Sequence, residues 1–149
     1  YAWGEGGSAL PVRVAGAPED VRAMACTLVN TYALTDAGDL YMWAHTTRVP
    51  RSAVRVCNEI SSIACGEAHT IAIDESGGMF AWGRGTEGQL GLGALREKVD
   101  QPQRVPDLRQ PAVAVACGRT HSIVLCTVSL VYGAGKRECL CGAAASSKG

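Results

Sequence analysis

Residues 63–93 read IACGEAHTIAIDESGGMFAWGRGTEGQLGLG, and the reading of their glycines decides the fold. Gly83, Gly85 and Gly88 satisfy G-x-G-x-x-G, the spacing that brings backbone close to a pyrophosphate in a dinucleotide-binding unit. That fingerprint has to open a helix, and an acidic residue has to follow about 20 positions on. Here Gln89-Leu90-Gly91-Leu92-Gly93 follows, too glycine-rich to start a helix, and Gln103 stands where the acidic residue should be. Trp3-Gly4-Glu5-Gly6 and Tyr132-Gly133-Ala134-Gly135 repeat the same pattern elsewhere. A phosphate loop has no reason to recur, so the glycines belong to a repeat.

The repeat extends well beyond the glycines. Fifteen residues before each of Cys26, Cys65 and Cys117 stands a proline, at Pro11, Pro50 and Pro102. Seventeen residues after the first two cysteines stand Trp43 and Trp82. Cys65-Gly-Glu-Ala-His69-Thr-Ile matches Cys117-Gly-Arg-Thr-His121-Ser-Ile. In the third unit Tyr132 arrives two residues before a tryptophan would, which reads as a two-residue deletion at the turn around Thr127-Val128. Such a deletion leaves the alternation of side chains intact.

Each unit reads as strand, tight turn, strand. Thr31 to Leu34 with Leu40 to Trp43, and Thr70 to Ile73 with Met79 to Trp82, are short β-rich runs around a glycine turn. A further strand fits before each cysteine, at Val21 to Ala25, Ile60 to Ala64 and Val113 to Ala116. No window carries sustained helical periodicity with caps. The stretch from tryptophan to the next proline varies most, and Ala94 to Gln101 reads as a loop at that insertion point.

Composition limits the partners. The 149 residues are 47% hydrophobic and 19% charged, a globular balance. Fourteen Lys and Arg face fourteen Asp and Glu, so no net field favours nucleic acid or an anionic membrane. The longest apolar-rich run, Ser122 to Tyr132, is too short to span a bilayer. The opening residues lack the charged-then-apolar pattern of a secretory signal. Seven cysteines, an odd number without C-x-x-C, read as free thiols of a reducing compartment.

The stretch from Ile63 to Gly93 resembles a repeat of the regulator-of-chromosome-condensation family, which builds a seven-bladed β-propeller. The third unit is similar through Cys117-Gly-x-x-His121-Ser and Tyr132-Gly-Ala-Gly135, and then carries Lys136 to Gly142 in place of the Gly-Gln-Leu-Gly segment. The first is degenerate, with Thr27 for the glycine and Asn30 for the histidine. The resemblance covers nearly all of residues 1–142. It implies an all-β fold, a partial propeller of about three blades of seven. One domain then covers residues 1–149, with units at 11–49, 50–101 and 102–149, and with 1–10 closing a preceding repeat. The expectation is a piece of a larger propeller.

The resemblance also ranks the functions. The leading expectation is a non-enzymatic interaction scaffold that presents propeller loops to a protein partner within a larger assembly. The alternative is guanine-nucleotide exchange on a small GTPase, as in the family's founding member. Glu67, His69, Arg119 and His121 occupy the positions that the family uses for docking, and Arg96, Glu97 and Lys98 fall in the variable loop. Together these are the expected partner-binding residues. His69 and His121 also fit a structural role, pairing with turn backbone or a neighbouring blade. A Cys-His catalytic dyad lacks a motif, zinc at Cys139 and Cys141 lacks a second ligand pair, and neither a catalytic residue nor a cofactor is expected. The tryptophans lie outside the segment that carries the chromophore in the related ultraviolet-B photoreceptor, where this chain has Leu28, Glu67 and Arg119. They read as core. The expected setting is intracellular and reducing: cytoplasm, cytoskeleton or cilium, or nucleus, with an organelle left open.

Overall fold

The computed structural model describes residues 10, 14, 16–44, 54–57, 59–106, 108, 110–127 and 131–135, with the backbone alone for 54–57. These residues form three antiparallel sheets. β1 (Val21–Cys26), β2 (Asn30–Thr35), β3 (Leu40–Ala44) and β4 (Val54–Cys57) pair in chain order as the first. β5 (Ile60–Cys65), β6 (His69–Asp74), β7 (Met79–Gly85) and β8 (Arg96–Arg104) pair likewise as the second. β9 (Ala112–Cys117), β10 (His121–Cys126) and β11 (Val131–Gly135) make the third, with β10 in the middle. Each sheet is one propeller blade. The blades change at Cys57 to Ile60 and at Arg104 to Ala112, so they are phased later than units cut at the prolines.

Equivalent residues make equivalent bonds. The N–H groups of Asp36, Glu75 and Thr127 donate to the carbonyls of Asp20, Glu59 and Pro111 at 3.0, 2.9 and 3.1 Å. Thr27, Gly66 and Gly118 each donate to the carbonyl three residues on, at Asn30, His69 and His121, over 2.9 Å. The thiols of Cys26, Cys65 and Cys117 lie 3.7, 3.6 and 3.7 Å from the hydroxyls of Thr31, Thr70 and Ser122. Every repeated cysteine therefore faces a hydroxyl on the next strand.

Neighbouring blades pack face to face. Between the first and second, Tyr32, Leu34 and Leu40 meet Ile60, Ala72 and Trp82, all buried. Trp82 Nε1–H donates to the Tyr32 hydroxyl at 3.0 Å, with the rings edge-to-face at 5.8 Å. Between the second and third, Ile71, Ile73, Met79 and Ala81 meet Ala112, Val124 and Cys126. At one rim the Ile60 N–H donates to Gly38 and the Ala112 N–H to Gly77, both over 2.9 Å. Gly77 has φ of +80°, and a Cβ there would lie 2.4 Å from Pro111 Cβ, so only glycine permits the approach.

Two readings of the sequence are corrected here. The third hairpin carries no deletion: His121 pairs with Gly135 as His69 pairs with Gly83, fourteen residues apart in both. Tyr132 therefore stands at the Phe80 position, and Ala134 at the Trp82 position. The backbone decides this. Gly83 (φ +97°) would place a Cβ 2.4 Å from the Ala68 carbonyl, and Gly135 (φ +133°) one 2.5 Å from the Thr120 carbonyl. The glycine after the tryptophan position thus fixes the register, and the aromatic residue does not.

The second correction concerns the fourth strand. Arg96 to Gln101 is not a loop but most of β8, which pairs with β7 at Gly83↔Val99, Arg84↔Lys98 and Gly85↔Arg96. β8 is the edge of its sheet, with only Val99 and Pro102 half-buried, and there Pro102 lies within the strand. Charge and a proline suit an edge strand and hide it from pattern reading.

Candidate functional site

The turns of the Cys-Gly-x-x-His segments line up across the blades at one end of the molecule. The Leu28 N–H donates to the Glu67 carbonyl at 2.9 Å, and the Glu67 N–H to the Arg119 carbonyl at 3.4 Å. These bonds carry one row from the first blade to the third. Glu67 and Arg119, singled out from the sequence, also meet through their side chains, with Arg119 Nε–H donating to Glu67 Oε2. The arginine is 81% exposed, so this pair is anchored on one side and wet on the other.

Two hollows flank the row. One of about 300 Å³ is lined by Glu67, Arg84, Glu87, Gln89, Arg119 and Thr120. The other, of about 600 Å³, opens between the first and second blades over an apolar floor of Tyr32, Met42, Trp82 and Val99. Glu97, Lys98 and Asp100 stand on its rim. Ala68 and Arg84 line both, so the turn row and the start of β8 form one surface. Lys98 Nζ lies 2.6 Å from Asp100 Oδ1, and that bond raises the lysine pKa above its ordinary value. Arg96 is exposed beside them.

The histidines lie beneath this surface. His69 is 1% exposed, and its Nε2 sits 2.9 Å from the Ser122 hydroxyl of the next blade, which donates to the Gln89 carbonyl at 2.9 Å. This is the interblade pairing that the sequence reading allowed. Burial pushes the His69 pKa down to about 4, with His121 beside it, so the ring is neutral near pH 7. Its Nδ1 and that of His121 are buried without a hydrogen-bond partner among the described residues. His121 is half-buried. Each ring lies over the glycine three residues before it: a Cβ on Gly66 or Gly118 would come within 2.1 Å of the imidazole.

The thiols of Cys65, Cys117 and Cys126 are poor nucleophiles. Burial pushes Cys65 up to about 12 despite its bond to Thr70, and raises Cys117 and Cys126 as well. Cys26, Cys65, Cys117 and Cys126 are all unpaired, and Cys26 is exposed rather than core. Cys139 and Cys141 lie outside the described residues. Gly83 and Gly85 sit within β7, Gly83 paired with β6 and β8 and Gly85 with β8, which excludes a phosphate loop there. Arg84 and Glu87 are the surface residues that the sequence reading missed, and their place directly after the Trp-Gly pair was the available signal.

Residues 76–125 match the family model for the regulator of chromosome condensation (RCC1) repeat, and residues 60–89 match a second model of the same repeat. Among solved structures, the chain is similar to Prp20p from Saccharomyces cerevisiae, described with its binding to Gsp1p and histones (20% identity, TM-score 0.72, covering 86% of this chain and 34% of that one). It is also similar to human WBSCR16 (22% identity, TM-score 0.67, 77% and 33%). A third is yeast RCC1 (Prp20) bound to Kap60 (20% identity, TM-score 0.64, 78% and 32%). The chain spans about a third of the length of these structures. A comparison with curated protein sequences found no match.

Proposed function

We propose that this chain, built from regulator of chromosome condensation repeats folded as successive propeller blades, serves as a non-enzymatic scaffold whose turn-row end docks a protein partner. The observation that carries this reading is the continuous surface from Arg119 through Glu67 and Arg84 to Lys98. It runs from the third blade across the second to the hollow that borders the first, and interleaves Glu67, Glu87, Glu97 and Asp100 with Arg84, Lys98 and Arg119. Charges of both signs over an apolar floor suit the rim and core of a protein interface better than a polyanion. Unpaired cysteines fit a reducing, intracellular setting.

Guanine-nucleotide exchange is the second reading, favoured by the likeness to a structure described with Gsp1p binding. The geometry weighs against carrying its docking residues over whole. His69 is sealed between blades, and the Glu67 carboxylate already accepts from Arg119. The test is release of labelled nucleotide from a panel of small GTPases by the intact protein. The scaffold reading expects no acceleration. Acceleration that is lost with Glu67→Ala would replace it with exchange.

A further inference from the structure

We propose that the seam between the second and third blades is a binding site for a small, planar, apolar molecule about the size of an indole. The seams are built alike, and one of them lacks its ring. Trp82 projects from β7 into the first seam and packs against Tyr32 of β2. At the second seam the matching pair is Ala134 of β11 and Ile71 of β6, because Ser122↔Ala134 repeats Thr70↔Trp82. An alanine and an isoleucine stand where the other seam has an indole and a phenol.

A hollow of about 180 Å³ lies at that place. Ile71, Leu90, Val105, Val124 and Ala134 wall it, and Tyr132 stands at its edge. Two polar side-chain oxygens beside it are already engaged. The Gln89 side-chain oxygen accepts from the Glu87 N–H at 2.9 Å, and Ser122 Oγ is shared between His69 and the Gln89 carbonyl. Water gains little there, since a held water needs two to four polar partners. An apolar void of about 150 Å³ stays dry and takes up benzene. The hollow thus favours a flat hydrocarbon-like ring over a charged or strongly polar ligand.

The test uses the intact protein carrying this segment and 5-fluoroindole as the probe. Titration followed by fluorine NMR should show saturable binding, with nuclear Overhauser contacts to the Ile71 and Val124 methyls. The same ligand should raise the melting temperature. Ala134→Trp should raise the melting temperature unaided and weaken binding by at least about tenfold. Absence of saturable binding, or contacts to Met42 and Val99 of the larger hollow instead, would overturn the proposal. So would undiminished affinity in a folded Ala134→Trp protein. If that variant does not fold, the methyl contacts in the unsubstituted protein decide alone.

Discussion

His69 joins blades, and its surroundings forbid it a charge. Held at a pKa of about 4 by burial, it takes up a proton in the unfolded chain, near pH 6.5, well before it does so in the folded one. The unfolded state therefore binds more protons between those values, and stability falls as pH drops through that window, by up to about 3 kcal/mol. Melting curves from pH 7 to pH 4 should show this loss, and His69→Gln should flatten it. The glycine beneath the ring is as constrained. Gly66→Ala would set a Cβ 2.1 Å from His69 Cε1 and 2.5 Å from the Gly118 carbonyl. Urea unfolding should show it destabilised by about 1–3 kcal/mol. Both residues were visible in the sequence as a repeated Cys-Gly-x-x-His. What stayed hidden was the partner, because Ser122 lies 53 residues away on the next blade.

The inner strands follow from local pattern, and the outer strand does not. β1 to β3, β5, β6 and β9 fall within a residue of the runs read from β-rich segments and glycine turns, and β7 runs on past Trp82 to Gly85. β8 is exposed along most of its length and contains Pro102, so no alternation announces it. β7 holds it through backbone pairing. Amide exchange should accordingly show Val99 and Gln103 protected beyond the level of the turn at Gly91 to Gly93, whereas a loop would exchange throughout Arg96 to Arg104. The third hairpin teaches the complementary lesson. Tyr132-Gly133 spells the repeat's aromatic-glycine pair, yet the strand settles with Gly135 opposite His121. Spelling misleads where a positive-φ glycine two residues later satisfies the backbone equally well.

At the largest scale, the described residues form three blades that share two seams and one row of turns. The fold class was legible because the repeat places the same cysteine opposite the same hydroxyl position in each blade. The surface was legible only in parts. Glu67 and Arg119 stand out as the variable residues of a repeated turn, and Glu97 and Lys98 as charges at an insertion point. That they belong to one surface follows from Arg84 and Ala68, which connect the two hollows. The opposite end, at the turns of Asp36 to Gly38 and Glu75 to Gly77, is tied by interblade backbone bonds too and so serves as an internal control. The most direct measurement is site-specific photo-crosslinking in the intact protein inside cells, with the reactive residue at position 119 or 98, and at 75 or 76 on the other end. The account predicts one shared partner crosslinked from 119 and 98 and not from 75 or 76. Partner adducts from the 75–76 end alone, or none from 119 and 98, would contradict it.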